Sequence, residues 1–504
     1  MTLRYDDVTR QISRRSIVKA AGIGIGIGAS ATVTATSLAT PAGAAGAPLA
    51  HPGLLHTRAD LDRMAAKVKA GARPYAAGFA KLTANRHAQS GWRPNPQAVV
   101  YRGSGTPENY RILYNDIHAA YQNALRYHVS GEEAHADTAV AILNAWSGKL
   151  TRLEGSADRF LAAGLYGYQF ANAAELVREH GDFDLGRARE LMRNVFHPLS
   201  DDFLTGHNNA VVTNYWPNWD LTALACVLAT GIFCDERAVI ERAVEYFKHG
   251  DGMGSVKHAV PVVHEDGLGE WVEAGRDQGH ALLGVGLMGT VCEMAWNQGI
   301  DLYGYDDSRF LKGAQYVAKW SLGGDVPYTA NTRRKGAIGG WSGSETASGV
   351  AGVDPSMTRP IWAMIANHYT KRRGLPASYL TRAAAKAAPE GGGGDYGPNS
   401  GGFDQLGFGT LAFTRDRVEV AAGATTPTPA SSPRPGPGGS GGSRGAGGVR
   451  PQASASPVGG GDLAATGSGD GAGWAAAAGI GAVAGGLLLL RRRDQGRRRG
   501  TAGD

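Results

Sequence analysis

The chain contains little of what several common enzyme classes require. Only three cysteines occur in 504 residues, Cys226, Cys234 and Cys292, which allows one internal bridge at most and excludes a disulfide framework. There is no CxxC pair, so a thiolate metal site is not predicted. Outside the Pro-, Gly- and Ser-rich stretch at residues 423–462, the sequence also lacks a GxSxG nucleophile elbow and a glycine-rich loop in a phosphate-binding context, which argues against elbow-type hydrolases and nucleotide chemistry.

The net positive charge of the chain comes from its two ends. The formal net charge is +6. Residues 1–44 contain five basic and two acidic residues, and residues 467–504 contain six basic and three acidic residues. The segment between them is therefore neutral, and it lacks the basic surface typical of nucleic-acid-binding proteins. No nucleic-acid partner is expected, although a local cationic pocket for an anionic substrate remains compatible with this balance.

The N-terminal end has the features of an export signal. Paired arginines in SRRSIVK, residues 13–19, precede a weakly apolar segment rich in glycine and alanine. The sequence AGA at residues 42–44 then has the small-x-small form of a cleavage site. Residues 1–44 resemble a twin-arginine signal peptide, which implies export of the folded protein by the twin-arginine translocase.

The C-terminal end resembles a cell-wall sorting signal, residues 463–504. Its LAATG motif, with Leu463, Thr466 and Gly467, is similar to the LPxTG type, and an apolar run and an arginine-rich tail follow. The resemblance implies that a sortase cuts after Thr466 and attaches the protein to peptidoglycan; a plain C-terminal membrane helix is the alternative. Residues 423–462, rich in Pro, Gly and Ser, predict a flexible spacer. An extracellular, cell-wall-anchored protein is expected.

The remaining segment, residues 45–422, is predicted to be one large, mainly helical domain. Apolar residues recur at helical spacing, most clearly in a buried helix over residues 281–296 that Gly299 closes. Several helices have apolar stripes broader than a surface helix needs, as in a double-layered ring of helices. Short strands or irregular loops are expected within residues 330–420. Helix starts are predicted at Thr57, Ser156, Asp220, Asp235, and Asp307 or Ser308.

The segment EWVEAGRDQGH, residues 270–280, places many polar groups just before that long apolar run. If a helix starts near Arg276, then Arg276 and His280 lie on one face, and Glu273 lies about one turn earlier. A cation, an imidazole and the amide of Gln278 suit a ligand that carries carboxylates. The alternative is an ion-pair network that only orients the end of the helix.

A second polar cluster, HNNAVVTNYWPNWD, covers residues 207–220 just before another apolar helix. Amides can bind a carboxylate without adding charge, and aromatic faces can stack on sugar rings. The alternative is a turn, because Asn and Pro both favour turns. The candidate residues of this cluster are Asn208, Asn209, Asn214, Tyr215, Trp216 and Trp219.

Other polar residues are assigned more simply. His258, His264 and His280 lack the spacing of an HExxH-type metal site, so neither a metal nor a cofactor is predicted. His264 leads into the segment at 270–280, and Tyr328 is a candidate acid, base or substrate contact. The run of cations at residues 333–335 is interpreted as solvated surface or as the rim of a substrate groove.

Residues 156–330 resemble the alginate-lyase-like superfamily of polysaccharide lyases. The resemblance rests on SADRF at 156–160, NYWPNW at 214–219, GRDQGH at 275–280 and CEMAWNQGIDLY at 292–303. It implies an (α/α) toroid that cleaves a uronic-acid polysaccharide of the alginate or glucuronan type. A monomer is expected.

The resemblance also implies roles for particular residues. β-Elimination requires neutralisation of the C5 carboxylate, a base that removes the adjacent proton, and an acid that protonates the departing O4. Arg276 and Asn214 suit the first role, and His264 or His280 with Tyr215 suits the proton transfers. Substrate binding is assigned to Asn208, Asn209, Trp216, Trp219, Glu273, Gln278 and Tyr328.

The chain departs from the pattern of toroid-type alginate lyases at the Asn-Asn-His run, where Ala210 follows the two asparagines. The catalytic tyrosine is also not fixed by the resemblance. Two other functions stay open: a glycoside hydrolase that uses a pair of carboxylates from the 266–277 region, and a noncatalytic glycan-binding protein. Elimination leaves a C4–C5 double bond in the product, whereas hydrolysis does not.

Overall fold

The structure is a computed structural model that describes residues 48–340, 342–397 and 400–418. The predicted signal peptide, spacer and sorting signal lie outside the described residues. Among the described residues, no helix combines the length and the apolar character needed to cross a membrane.

The described chain is mainly helical, which confirms the predicted fold class. The helices are α1 (Arg58–Lys69), α2 (Tyr75–Ala84), α3 (Tyr110–Ser130), α4 (Glu133–Ser147), α5 (Asp158–Leu176), α6 (Leu185–Leu191), α7 (His197–Gly206), α8 (Pro217–Phe233), α9 (Arg237–His249), α10 (Val256–Ala259), α11 (Gln278–Asn297), α12 (Tyr305–Ser321), α13 (Trp362–Asn367), α14 (Ser378–Ala387) and α15 (Gly409–Ala412).

The helices form an inner and an outer layer that close into a ring. In the inner layer α3 packs against α5, α5 against α8, α8 against α11, and α11 against α13. The ring closes because α13 packs against α15, which contacts α1 and α2, and these two contact α3. Outside them, α4 covers α3, α9 covers α8, and α12 covers α11. This arrangement agrees with the double-layered ring predicted from the broad apolar stripes.

The inner helices α8 and α11 are buried on almost all sides. Every residue of α8 is buried, as expected for a helix that is apolar all round. In α11, His280 is the one residue between Gln278 and Ala295 that is not buried. The three cysteines, on or next to these helices, are free and buried, so the described chain contains no disulfide among them.

Two small sheets accompany the helices. Strands β1 (Val99–Arg102) and β2 (Arg152–Gly155) pair in parallel, and both lie in the part of the chain where no strand was predicted. Strands β3 (Asn331–Gly336) and β4 (Ser342–Ala347) form an antiparallel hairpin within the region where short strands were expected.

Helix starts were predicted with mixed success. Thr57 caps α1 in a capping box with Asp60, as predicted. Asp220 does not cap a helix, because α8 already begins at Pro217. Asp235 does not cap α9; it has a left-handed backbone (φ 63°) and pairs with Arg178 at 3.1 Å.

The two ends of the described chain are joined by ion pairs and a hydrogen bond. Arg415 forms an ion pair with Asp60 and donates a 3.3 Å hydrogen bond to Glu293 of α11. Lys67 of α1 pairs with Asp416 at 2.8 Å. Asp60 and Glu293 are buried, so the contacts of Arg415 join α1, α11 and the C-terminal segment in the protein interior, whereas the Lys67–Asp416 pair lies at the surface.

Candidate active site

A short 3-10 turn, Val272–Gly275, leads into α11 and begins the candidate site. Asp277 caps the helix by accepting a 2.8 Å hydrogen bond from the backbone nitrogen of His280. The helix thus starts at Gln278, two residues later than predicted, and Arg276 lies just outside it. The two side chains still meet, with Nη2 of Arg276 3.3 Å from Nε2 of His280.

Asp277 also fixes the imidazole. Its Oδ2 lies 2.6 Å from Nδ1 of His280 and 3.5 Å from Nε of Arg276. Because Nδ1 faces a carboxylate and Nε2 faces a guanidinium that can only donate, these partners assign the neutral tautomer with its proton on Nδ1. Burial alone would raise the pKa of Asp277, but the hydrogen bonds from His280 hold it below its ordinary value. The site therefore holds a lone pair on Nε2.

Glu273 connects Arg276 to α8. Its Oε1 accepts hydrogen bonds from Nδ2 of Asn218 at 2.5 Å and from Nη1 of Arg276 at 3.2 Å. The side chain is fully buried, and its Oε2 has no hydrogen-bond partner among the described residues. Burial raises the pKa of Glu273, while the charge of Arg276 opposes this. Because it is buried, Glu273 can hold Arg276 in place but does not itself reach the surface.

The second predicted cluster is organised by a tight left-handed turn. His207, Asn208 and Asn209 all have positive φ angles, 45°, 53° and 56°. The turn lets Nδ2 of Asn208 donate to the phenol oxygen of Tyr215 at 3.0 Å. The Tyr215 ring packs against Trp219, with 4.6 Å between ring centroids. Burial raises the pKa of Tyr215, and the hydrogen bond from Asn208 opposes it, so this phenol stays protonated at neutral pH.

The β3–β4 hairpin packs along this cluster. Arg333 is buried; it lies 4.5 Å from the ring centroid of Trp216 and donates to the carbonyl oxygens of residues 213 and 214. The interpretation of residues 333–335 as solvated surface is therefore wrong for Arg333. The backbone nitrogen of Gly336 donates to Oδ1 of Asn214 at 2.9 Å. This bond orients the amide, and its Nδ2 has no partner within the described residues.

His264 and Tyr328 lie at the border of the site. Nε2 of His264 is 3.2 Å from Oε2 of the buried Glu270. The phenol of Tyr328 donates to the carbonyl oxygen of Val272 at 2.9 Å, and burial raises its pKa to about 12. No hydrogen bond or ion pair of the described chain joins His264 to Arg276, so of the two candidate histidines only His280 touches the arginine.

The remaining predicted contacts are held by backbone groups or lie at the surface. The amide of Gln278 is buried and exchanges two hydrogen bonds with the backbone of Asp354, at 2.8 and 3.2 Å. Asn209 is exposed, and its carbonyl accepts a hydrogen bond from the backbone of Ile338. Within residues 48–340, 342–397 and 400–418, no group of three or more His, Cys, Asp or Glu side chains could hold a metal ion.

One supporting network was missed in the sequence. Asp220, fully buried, accepts hydrogen bonds from the phenol of Tyr246 at 2.5 Å and pairs with Nε2 of His207 at 3.0 Å. It also accepts from the backbone nitrogen of Gly254 at 3.2 Å. The network fixes the left-handed turn that carries Asn208. A polar residue inside an otherwise apolar helix was the available signal, but an N-cap produces the same pattern.

One protein-family model matches the part of the chain that contains the candidate site. Residues 76–326 match the family model described as alginate lyase. The chain is a polysaccharide lyase. More narrowly, the matched segment is similar to the alginate lyase family, which supports the superfamily predicted from the motifs. It contains Asn214, Tyr215, His264, Arg276 and His280.

Several solved structures of distant sequence have limited similarity to the chain. Alginate lyase A1-III from Sphingomonas species A1 is 12% identical over 73% of this chain and 98% of that one, with a TM-score of 0.45. A variant of alginate lyase A1-III complexed with a tetrasaccharide is 13% identical over 73% and 97%, with a TM-score of 0.46. An alginate lyase from Bacteroides ovatus is 13% identical over 52% and 82%, with a TM-score of 0.40. No curated protein shows significant sequence similarity to the chain.

Proposed function

We propose that this polysaccharide lyase cleaves a uronic-acid-containing polysaccharide of the alginate or glucuronan type by β-elimination. The observation that carries the proposal is the contact between Arg276 and His280. A cation that can neutralise the C5 carboxylate and a base that can remove the C5 proton must act on adjacent atoms of one sugar. These two side chains lie 3.3 Å apart and are each partly exposed, 16% for Arg276 and 17% for His280.

His280 is the proposed base. In the tautomer that Asp277 selects, Nε2 carries the lone pair, and Nδ1–H stays hydrogen-bonded to a carboxylate that can stabilise the imidazolium formed on proton uptake. The substrate carboxylate would compete with Nε2 of His280 for the guanidinium of Arg276. Nε2 would then be free to accept the C5 proton. The order of events is then carboxylate contact first and proton removal second.

Tyr215 is the proposed acid, and Asn214 a further carboxylate contact. Burial raises the pKa of Tyr215, which keeps its phenol protonated and suits donation to the departing O4. Nδ2 of Asn214 has no hydrogen-bond partner among the described residues, and its orientation is fixed because Oδ1 accepts a hydrogen bond from Gly336. An amide adds a hydrogen bond to a carboxylate without placing another full charge beside Arg276.

The function is tested by product chemistry. The chain is incubated with polymannuronate, polyguluronate, glucuronan, hyaluronan and pectate, and the ultraviolet absorbance of the C4–C5 double bond is followed. A rise on one polymer, absent in an Arg276→Ala, His280→Ala double variant, is the expected result and names the substrate. Asp307→Asn, at a side chain 93% exposed, is a matched control that retains activity.

The two other functions give different results in the same assay. New reducing ends without absorbance would indicate hydrolysis by paired carboxylates and contradict elimination. Binding without either product would indicate a glycan-binding protein. Loss of activity in Tyr215→Phe with unchanged binding is expected if this phenol is the acid, and full activity of that variant would remove it from the mechanism.

We also propose that the protein is exported by the twin-arginine route and attached to the cell wall. The support is the paired arginines with the AGA site at 42–44, and the LAATG motif with the apolar run and basic tail that follow it. A Thr466→Ala variant is expected to move from the wall fraction to the membrane fraction. Equal wall attachment of the variant would contradict sorting at this motif.

A further inference from the structure

The motif at residues 156–160 contributes to the family resemblance but has no part in the proposed elimination. It starts α5 beside the end of β1, where Arg102 pairs in register with Gly155. A Cβ atom on Gly155 would lie 1.9 Å from the carbonyl oxygen of Arg102, and its φ is 128°, so the approach requires glycine. The two strands thereby bring Arg102 next to the first turn of α5.

Arg102 is surrounded by hydroxyl groups and aromatic rings. Its Nη1 donates to the phenol oxygen of Tyr166 at 3.0 Å, and its Nη2 donates to Oγ of Ser400 at 3.2 Å. The guanidinium carbon lies 5.1 Å from the ring centroid of Tyr110 and 5.8 Å from that of Tyr166. Within the described chain, no carboxylate forms an ion pair with Arg102. A partly buried cation held in place by neutral groups keeps its charge available for a ligand.

Arg159, in the first turn of α5, also lacks an ion pair within the described residues. Its guanidinium lies 4.5 Å from the ring centroid of Phe160 and 3.5 Å from the carbonyl oxygen of Gly155. Among the described residues, the adjacent acid Asp158 forms an ion pair with neither arginine, and its buried Oδ1 has no hydrogen-bond partner. Burial raises the pKa of Asp158, while the charge of Arg102 opposes this. Two cations therefore lie beside one carboxyl group, and burial disfavours the charged form of this carboxyl group.

The chemistry of this cluster fits the carboxylate of a sugar. A guanidinium presents a fork of donors that matches a carboxylate. The cluster also adjoins the candidate active site, because Phe160, which Arg159 covers, packs against Phe203 with 5.5 Å between ring centroids, and Phe203 packs against Tyr215 at 5.0 Å. A polymer of acidic sugars carries a carboxylate on every unit, so one unit can occupy Arg276 while another reaches this cluster.

We propose that Arg102 and Arg159 form a second carboxylate-binding site, which takes a neighbouring acidic sugar of the chain that is cleaved at Arg276. The inference rests on the proposed function for the identity of the polymer. It adds that affinity for the polymer is divided between two cationic sites, one at Arg276 and one at Arg102 and Arg159. Oligosaccharides that reach only Arg276 are then poorer substrates than longer ones.

The test compares two arginines of neighbouring strands. Arg102→Gln removes the unpaired cation, and Arg152→Gln on β2 is the matched control, since Arg152 is 63% exposed and already paired with Glu154 at 2.7 Å. Both are made in a His280→Ala background of the full chain, and binding of mannuronate and glucuronate hexasaccharides is measured by calorimetry. Arg102→Gln is expected to weaken binding by about tenfold or more, the loss of one charge-assisted pair. Arg152→Gln should leave the affinity unchanged.

The outcomes separate this site from the function itself. Circular dichroism checks that each variant is folded, and Arg159→Gln replaces Arg102→Gln as the deciding variant if the latter is not. Equal affinity of the cluster variant and Arg152→Gln would overturn the second site, even if the wild type shows elimination. Loss of affinity in the cluster variant, with no elimination product from the wild type, would keep the site and reject the proposed reaction.

Discussion

At the scale of single residues, Asp277 performs two tasks that are seldom combined. One oxygen caps α11 through the backbone of His280, and the other holds the ring of the same residue. The helix start and the orientation of the proposed base are therefore set by one side chain. The carboxylate faces Arg276 as well, so the three groups share charge in one partly exposed cluster.

Asp277→Asn separates these tasks, because asparagine is as good an N-cap as aspartate but carries no charge. We expect the fold to remain and kcat to fall between about tenfold and a thousandfold, because the amide no longer favours the proton on Nδ1 or stabilises an imidazolium. Steady-state kinetics on the polymer that the wild type cleaves measures this. Activity equal to that of the exposed control Asp307→Asn would show that the carboxylate charge is not used.

At the scale of elements, the contact between α5 and α8 sets how close the inner helices come. A Cβ atom on Gly164 of α5 would lie 2.4 Å from Cγ2 and 2.7 Å from the backbone of Thr222 on α8. A Cβ atom on Gly167 would lie 2.5 Å from Sγ of Cys226. Glycine at both positions lets the two backbones approach, and α8 in turn carries Asn218 toward Glu273.

Gly164→Ala should push these helices apart. We expect the free energy of unfolding to fall by about 1–3 kcal/mol, the usual cost of overpacking a dense core. Urea denaturation measures the change. Gly181→Ala is the control, because no heavy atom lies within 4 Å of the Cβ it would add. Equal stability of the two variants would mean that the helices accommodate the methyl group without strain.

The elements that could be predicted from sequence are those whose signals are local. The capping box at Thr57 and the contact of Arg276 with His280 each span four residues or fewer along the chain. Asp220 resembled a cap because it precedes an apolar run, yet its partners come from two other segments. Arg333 resembled solvated surface because the hairpin that buries it against residues 213–216 leaves no periodic pattern. Contacts between distant segments are set by packing.

At the scale of the whole molecule, one buried carboxyl group connects the helices at which the ring closes. Oε1 of Glu390 accepts hydrogen bonds from the backbone nitrogens of Trp362 and Ala363, both at 2.9 Å, at the start of α13. Its backbone nitrogen donates to Oγ1 of Thr410 at 2.9 Å, and its Oε2 is buried without a partner in the described chain. Glu390 thus joins α13 to α15 where the ring closes.

This carboxyl group predicts a pH dependence of stability. Burial raises the pKa of Glu390 from 4.5 to about 7 in the folded state. Between these values the folded state keeps a proton that the unfolded state releases, so the free energy of unfolding falls as pH rises, by roughly 3 kcal/mol, and is level above pH 7. Glu390→Gln should lack this decrease, as measured by urea denaturation at several pH values. An equal decrease in the wild type and in Glu390→Gln would exclude Glu390 as its source.

The contacts between the two ends of the described chain have a mechanical consequence for the proposed wall-anchored protein. Tension from the anchor would enter the domain at residues 416–418, and would be borne first by the backbone bond from Val418 to Lys371 and by the Lys67–Asp416 pair, and then by the contacts of Arg415 with Asp60 and Glu293. The Lys67–Asp416 pair and the Arg415–Asp60 pair both bear load, so the force is shared among several contacts. The segment from Asn214 to His280 lies outside this route. Pulling on the tether therefore strains the closure of the ring before it disturbs the proposed catalytic groups.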